Sequence, residues 1–401
     1  MVSLADIQAA ESRIFSHIIR TPVVHSPTIS EITGANVYLK LETLQKAGSF
    51  KVRGATNKIL SSPDKTGELC VVAASAGNHA QGVAVAAHSA GIPATIVMPE
   101  WSAITKQEAT RSYGAKVIIH GQTLEESIEK AREIASKGNI FIHPYDDEAV
   151  IAGQGTIALE ILHDLPATDM IVVPVGGGGL IAGIATAAKA IKPEITIIGA
   201  QAGACPSAVQ SLRHGSPCRV KAGKTIADGI RVAETGILTL PLIQRYVDRH
   251  VLASEEDIAD AMLLLLERKH VIAEGAGAVP LAALMNGSID VPSGSNVVLI
   301  ISGGNVESAL LFRVIRQSLA RQGRLMRFSL LLDDQPGTLA RILTTIAQEK
   351  GNILHIHHLQ GGSDIPVLMT RVTIELETRG WDHISAIKNV LADAGYEIRM
   401  E

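Results

Sequence analysis

The sequence predicts an α/β protein, built as two parallel-sheet domains followed by a compact βαββαβ module of the ferredoxin-like kind. Three observations predict it. Between about residues 69 and 142, short β-branched runs alternate with amphipathic stretches, and a second alternation of the same kind runs from Met170 to Ser302. The pattern then changes near Arg321 to Arg324, and residues 325–401 read strand, helix, strand, strand, helix, strand. Repeated strand–helix–strand units demand right-handed crossovers and a parallel sheet, whereas the last pattern is the ferredoxin-like order.

In the first set, "LCVVAA" is a strand, "HAQGVAVAAHSAG" a helix closed by Gly91, and "ATIVMP" a strand. The helix "ITKQEATRSYG", the strand "KVIIH", the helix "TLEESIEKAREIASKG" and the strand "IFIH" follow. The second set opens with the strand "MIVVPV", the helix "LIAGIATAAKAI" and the strand "ITIIGAQA", and resumes with the helix "SEEDIADAMLLLLERKH" and the strand "NVVLIIS". A smaller α/β subdomain over about 48–150 is thus nested in a larger region spanning 1–320, with the cleft between them as the natural ligand site. In the module at 325–401, "LMRFSLLL" is a strand and "DDQPG" a turn. A helix with Leu339, Ile342, Leu343, Ile346 and Ala347 on one face runs to Gly351. Strands "NILHIHHLQ" and "VLMTRVTIEL", a helix with Ile384, Ile387, Val390 and Leu391 that stops at Gly395, and the strand "YEIRM" complete it.

Composition narrows the function. A chain of 401 residues that is 46% hydrophobic and 19% charged is globular and long enough for several domains. A formal net charge of −4 and 3% aromatic residues exclude an electrostatic footprint or stacking platform for nucleic acid. Cys70, Cys205 and Cys218 are odd in number and lack metal-ligand spacing, which points to a reducing compartment. The N-terminal "MVSLADIQAAESRIF" has no apolar signal-peptide core, and apolar runs such as Met170 to Val175 are too short to span a bilayer. The expectation is a cytoplasmic soluble protein without nucleic-acid or membrane partners.

Four motifs could carry chemistry. "PVGGGGL" sets Gly176, Gly177, Gly178, Gly179 and Leu180 between a strand and a helix, where successive backbone N–H groups at a helix N-terminus favour a phosphate. It lacks the dinucleotide spacing, and "GKT" at Gly223 to Thr225 is no P-loop because Cys218 stands where the first glycine is required. "SAGNHAQG" places Ser75, Ala76, Gly77, Asn78 and His79 at a helix start, as a carboxylate site or as an ordinary N-cap. "SGGN" puts Ser302 at the C-terminal end of a buried strand, facing a crevice or capping a helix. "QKAGSFKVRGA" sets Lys51 after Phe50 in an apolar, glycine-flanked turn; alone it reads as a surface cation, and Arg53 beside it as a structural ion-pair partner. An imine-forming lysine, a glycine phosphate cup and polar strand ends together suggest pyridoxal 5'-phosphate.

In this order, "GSFKVRGA", "SAGNHAQG", "PVGGGGL" and "SGGN" strongly resemble the threonine/serine dehydratase family of fold-type II (tryptophan synthase β-like) pyridoxal-phosphate enzymes, over residues 1 to about 320. The C-terminal unit resembles an ACT domain. On that resemblance Lys51 is the Schiff-base lysine, Phe50 flanks the ring, Asn78 bonds the 3′ oxygen, the four glycines hold the phosphate and Ser302 faces the pyridine nitrogen. Ser75 and the amides of residues 75–79 take the substrate carboxylate. The implied reaction is β-elimination of L-threonine, and less well L-serine, to 2-oxobutanoate or pyruvate and ammonia. Serine racemases of this family carry a serine where this chain has Ala76, so racemisation is expected to be poor. Their acidic cation site aligns with Gln201, Cys205 and Ser207, and no metal is expected. The ACT resemblance implies an amino-acid effector, isoleucine or valine, in a loop of Asp333, Gln335, Pro336, Gly337, Thr338 and Leu339, within a homo-oligomer (dimer or tetramer). A purely structural dimerisation module, a dehydratase preferring serine or 3-hydroxyaspartate, and a catalytically silent amino-acid sensor remain alternatives. Asp146 and Asp147 belong to the site or cap the helix after them.

Overall fold

The computed structural model describes residues 1–62 and 70–401. The chain divides into two compact units, Met1–Glu307 and Ser308–Glu401. The helix Ser308–Arg321 therefore groups with the C-terminal strands, upstream of the composition change at residues 321–324.

Among the described residues the first unit has strands β1 (Val23–His25), β2 (Asn36–Leu41), β3 (Val71–Ala74), β4 (Ala94–Met98), β5 (Lys116–Ile119), β6 (Ile140–Phe141), β7 (Met170–Pro174), β8 (Thr196–Ala202), β9 (Arg249–Ala253) and β10 (Asn296–Ile301). They form a six-stranded sheet ordered β1-β2-β10-β7-β8-β9 and a four-stranded sheet ordered β5-β4-β3-β6. All pairings are parallel except β1 with β2. The two expected strand sets are thus two sheets. The first residue of the expected strand "LCVVAA", Leu69, lies outside the described residues. Strands β3, β7 and β10 are buried on both faces, which is why they read as unbroken apolar runs without alternation.

Three strands escaped the sequence reading. β1 and β2 come from the N-terminal segment, and β2 lies parallel to β10 with Asn36 opposite Asn296. β9 closes the other edge against β8. Each is short or carries charge, so local pattern alone does not announce it.

Helix packing positions the site. In the helices Lys51–Ser61, Glu148–Asp164 and Gly179–Ile191, glycines face one another: a Cβ on Gly153 would lie 2.7 Å from the Gly54 Cα, and one on Gly183 would lie 2.3 Å from the Ile151 carbonyl oxygen. Below Lys51, Arg53 is fully buried and holds Glu42 at 2.8 Å and Glu160 at 2.7 Å, while the Lys40 Nζ donates to Glu160 and to the Thr21 carbonyl. Two cations and two carboxylates balance, and Arg53 is the structural ion-pair partner expected of it. Against the pull of burial, its carboxylate neighbours hold it protonated.

The second unit contains the helix Ser308–Arg321 and strands β11 (Leu325–Asp333), β12 (Asn352–Gln360), β13 (Met369–Glu377) and β14 (Arg399–Met400), with helices Thr338–Gln348 and Trp381–Asp393. The order β12-β13-β11-β14 is antiparallel throughout and is the ferredoxin-like arrangement. Its core joins Phe328, Leu330, Val372 and Ile374 to Ile342, Ile346, Ile387 and Leu391. The helix Thr338–Gln348 ends before Lys350, which takes the left-handed conformation (φ 63°) one residue earlier than the expected stop at Gly351.

Candidate active site

Lys51 is the first residue of its helix, and Phe50 stands at the N-cap. Residues 49–50 pair with the turn after β10: Ser49 bridges Gly303, and the Phe50 amide donates to the Ser302 carbonyl at 3.1 Å. This backbone pairing brings two motifs about 250 residues apart in sequence into register. The Lys51 Nζ donates to the Pro144 carbonyl at 2.8 Å and stands 5.1 Å from the centre of the Phe50 ring. Burial pushes its pKa down to about 8, against the pull of the Glu274 carboxylate. About a tenth of the amine is then neutral at pH 7.

Asn78 opens the helix Asn78–Ala90. A Cβ on Gly82 of that helix would come within 2.9 Å of the Lys51 Cβ, so glycine is what lets Asn78 and Lys51 share one wall. The Asn78 Nδ2 donates to the Glu274 Oε1 at 2.6 Å, and its Oδ1 accepts from the Asn305 Nδ2 at 2.9 Å. In the turn before it, the Ser75 Oγ accepts from the Gly77 amide at 3.1 Å, leaving the hydroxyl proton for a further acceptor. Ala76 presents only a methyl group there. The His79 ring faces away from this turn to the Ile142 carbonyl at 2.9 Å, and burial lowers its pKa to about 3. His79 is a neutral core imidazole whose backbone amide alone belongs to the loop.

Gly176 to Gly179 join β7 to the helix Gly179–Ile191. The backbone N–H groups of Gly176, Gly177, Gly178, Gly179 and Leu180 find no acceptor among the described residues. Successive unpaired donors at the positive end of a helix suit a phosphate, so the residues present fit pyridoxal phosphate. Each glycine also has a steric reason: a Cβ would lie 2.4 Å from the Tyr145 ring at Gly177, 2.8 Å from the Tyr145 carbonyl oxygen at Gly179 and 3.1 Å from the Ile230 Cα at Gly176. Gly178 takes φ 100°, in the left-handed region.

In the segment that ties these parts together, sequence reasoning singled out Asp146 and Asp147 but missed Pro144 and Tyr145. Pro144 receives Lys51 and Tyr145 packs under the glycine loop. Asp147 caps its own helix through the Ala149 and Val150 amides and pairs with Lys58 at 2.6 Å. Asp146 does not cap that helix; its carboxylate takes the Ile237 and Leu238 amides at 3.0 and 2.8 Å. Glu274 and Asn305 were also unassigned. The glutamate in "AEGAGA", an acid just before a glycine-rich helix start, was the available signal. Ser302 is 2% exposed and next to Gly303, whose carbonyl accepts from the Glu274 amide at 3.0 Å. At the aligned cation position, the Gln201 carboxamide donates to the Val175 carbonyl and accepts from the Ala208 and Val209 amides.

The sequence model of the pyridoxal-phosphate dependent enzyme family matches residues 14–303. The chain belongs to that family. An L-threonine ammonia-lyase of Thermotoga maritima is 46% identical over 401 residues, the whole of both chains. Among solved structures of the family, a threonine deaminase from T.th. is 40% identical with a TM-score of 0.72, covering 76% of this chain and 99% of its own. Maize serine racemase is 36% identical with a TM-score of 0.74, covering 80% and 98%. In this family the bound pyridoxal phosphate supplies a carbonyl for amines and a sink for the electrons of a broken Cα–H bond.

Proposed function

We propose that the protein is an L-threonine ammonia-lyase, converting L-threonine to 2-oxobutanoate and ammonia and L-serine less efficiently to pyruvate. The observation that carries this reading is the identity of 46% with an L-threonine ammonia-lyase along the entire length of both chains. Each candidate residue then has a task. The amides of Gly176, Gly177, Gly178, Gly179 and Leu180 take the phosphate. Phe50 packs beside the ring. Ser302 offers the pyridine nitrogen a hydroxyl, which unlike a carboxylate does not hold a proton there; this favours prompt elimination over a long-lived carbanion. Ser75 and the amides of residues 75–79 hold the substrate carboxylate. The neutral fraction of Lys51 takes the α-proton onto Nζ. The β-hydroxyl leaves as water, water is taken up again on hydrolysis, and the ketoacid and ammonia are the net products. Alanine at position 76 has no proton to give or take on the opposite face, so racemisation is expected to be poor.

The C-terminal unit is read as an ACT-like regulatory domain that binds isoleucine or valine at Asp333, Gln335, Pro336, Gly337, Thr338 and Leu339 in a homo-oligomer. Gly337 at φ 93° followed by the helix start at Thr338 makes an open backbone turn suited to an amino acid's charged ends. The three cysteines are free, in keeping with a cytoplasmic site of action.

A ketoacid assay across threonine, serine and 3-hydroxyaspartate, with and without isoleucine or valine, tests the reading. Threonine is expected to give the highest kcat/KM, and Lys51→Ala to lose both turnover and the visible cofactor band. Preference for another substrate, or a Lys51→Ala protein that keeps band and turnover, overturns it. A response to neither branched-chain amino acid overturns the effector.

A further inference from the structure

We propose that Glu274 is a positioning residue that clamps the Asn78 carboxamide with its nitrogen end inward and sets the proton affinity of Lys51. The proposal rests on the cofactor reading of the site but not on the identity of the substrate.

Glu274 stands at the N-cap of the helix Gly275–Met285 and is 5% exposed. Its carboxyl makes a single side-chain bond among the described residues, accepting from the Asn78 Nδ2 at 2.6 Å. Among those residues no lysine or arginine pairs with it directly, so it is a buried acid placed for something other than a salt bridge. Its approach is built in: a Cβ on Gly303 would lie 2.5 Å from the Glu274 Oε1, and one on Gly229 would lie 3.3 Å from it.

The clamp has a second jaw. The Asn78 Oδ1 accepts from the Asn305 Nδ2 at 2.9 Å, and the same nitrogen donates to the Ala47 carbonyl at 2.8 Å. A Cβ on Gly48 would meet the Asn305 Oδ1 at 2.4 Å, so Asn305 is itself wedged against the loop that leads to Lys51. With the nitrogen end committed to Glu274 and the oxygen end to Asn305, the carboxamide cannot flip. Its nitrogen keeps one further N–H for an incoming acceptor. This is the polarity a phenolate-like cofactor oxygen requires.

The electrostatic half follows from the same placement. Lys51, Lys106 and Asp228 are the charged groups whose fields reach Glu274. Lys106 is drawn to Asp228 at 3.2 Å and Glu307 at 3.3 Å, and is largely neutralised by them. On the Lys51 side, His79 and His143 are both held neutral by burial. Glu274 holds Asn78 at the start of the helix whose Gly82 abuts Lys51, where a Cβ would lie 2.9 Å from the Lys51 Cβ. From that position its charge sustains the protonated form of Lys51 against burial.

The test compares Glu274→Gln, which keeps the acceptor for Asn78 but loses the charge, with Glu274→Ala, which loses both. In the cofactor-free full-length chain, the rate of Lys51 acylation by an amine-reactive ester, followed by mass spectrometry against pH, reads the lysine directly. The midpoint is expected to fall by roughly one unit in Glu274→Gln and in Glu274→Ala. In the holoenzyme, the visible cofactor band is expected to stay in place in Glu274→Gln and to shift in Glu274→Ala. An unchanged acylation midpoint in a Glu274→Gln protein with wild-type circular dichroism overturns the electrostatic role. Identical visible spectra for the two variants overturn the clamp. Should Glu274→Ala not fold, Asn305→Ala opens the other jaw and must reproduce its band shift. None of these readouts depends on threonine being the substrate, so a failure here is separable from a failure of the proposed activity.

Discussion

Lys51 and Arg53 sit two residues apart on one helix; burial pulls proton affinity down at both, and only Arg53 has carboxylate partners that reverse the shift. Lys51 has no carboxylate in hydrogen-bonding contact among the described residues and loses proton affinity; Arg53 has two and keeps its charge. One becomes a reagent and the other an anchor. Replacing the anchor by Met leaves Glu42 and Glu160 with only Lys40 and hydroxyls to balance them. Arg53→Met is expected to destabilise the protein by about 3–5 kcal/mol, the cost of stranding a buried charge. It would appear as a lower urea midpoint at unchanged slope. A loss below about 1 kcal/mol would mean that the cluster tolerates an unpaired carboxylate.

At the level of elements, the site is made of helix starts aimed at one another. The helices beginning at Lys51, Asn78, Gly179 and Gly275 each contribute their first residue or the residues just before it, where backbone donors are unpaired and side chains are not committed to a helix face. Glycine decides how closely these starts converge. Gly177→Ala would put a methyl 2.4 Å from the Tyr145 ring and force the loop or the ring aside. Overpacking of this kind costs ~1–3 kcal/mol, or roughly tenfold and more in affinity for a group the loop holds. The expected result is weaker retention of pyridoxal phosphate, measured by equilibrium dialysis, with the unfolding midpoint less affected. Unchanged cofactor affinity would remove the glycine loop from the phosphate site.

For the whole molecule, the buried titratable groups set a pH dependence. Burial lowers His79 to about 3, and His143 and His250 to about 4, from an ordinary 6.5. Imidazoles depressed on folding contribute stability that is present above about pH 6.5 and lost as pH falls, because unfolding lets them take up protons. Glu274 acts in the opposite sense: raised from 4.5 to about 7 by burial, it favours the fold at low pH, and that contribution fades as pH rises from 4.5 through 7. Three imidazoles against one carboxyl make net proton uptake on unfolding the expectation. Stability from urea titrations should therefore fall between about pH 6.5 and 4.5, and His250→Gln should flatten the slope without touching the site. A flat profile over that range would contradict the burial of these rings.

What the sequence determined by itself was whatever is encoded within a few residues. Apolar runs marked the doubly buried strands β3, β7 and β10, and the ferredoxin-like order of residues 325–401 followed from its alternating pattern. Four consecutive glycines at a strand-to-helix junction marked a phosphate cup, and four motifs in order pointed to the family. Tertiary structure alone decided what depends on distance across the chain. Lys51 was a surface cation on local pattern until the pairing of Ser49 with Gly303 and the Pro144 carbonyl drew it into a half-buried position. His79 read as a loop donor or a solvated side chain until its ring met Ile142, and Asp146 as a site residue or a helix cap until it met the amides of Ile237 and Leu238. Glu274 lies in none of the four motifs, only in the "AEGAGA" stretch. Its importance lies in being desolvated opposite Asn78, and desolvation belongs to the packed molecule, because no neighbour in sequence can remove water from a side chain.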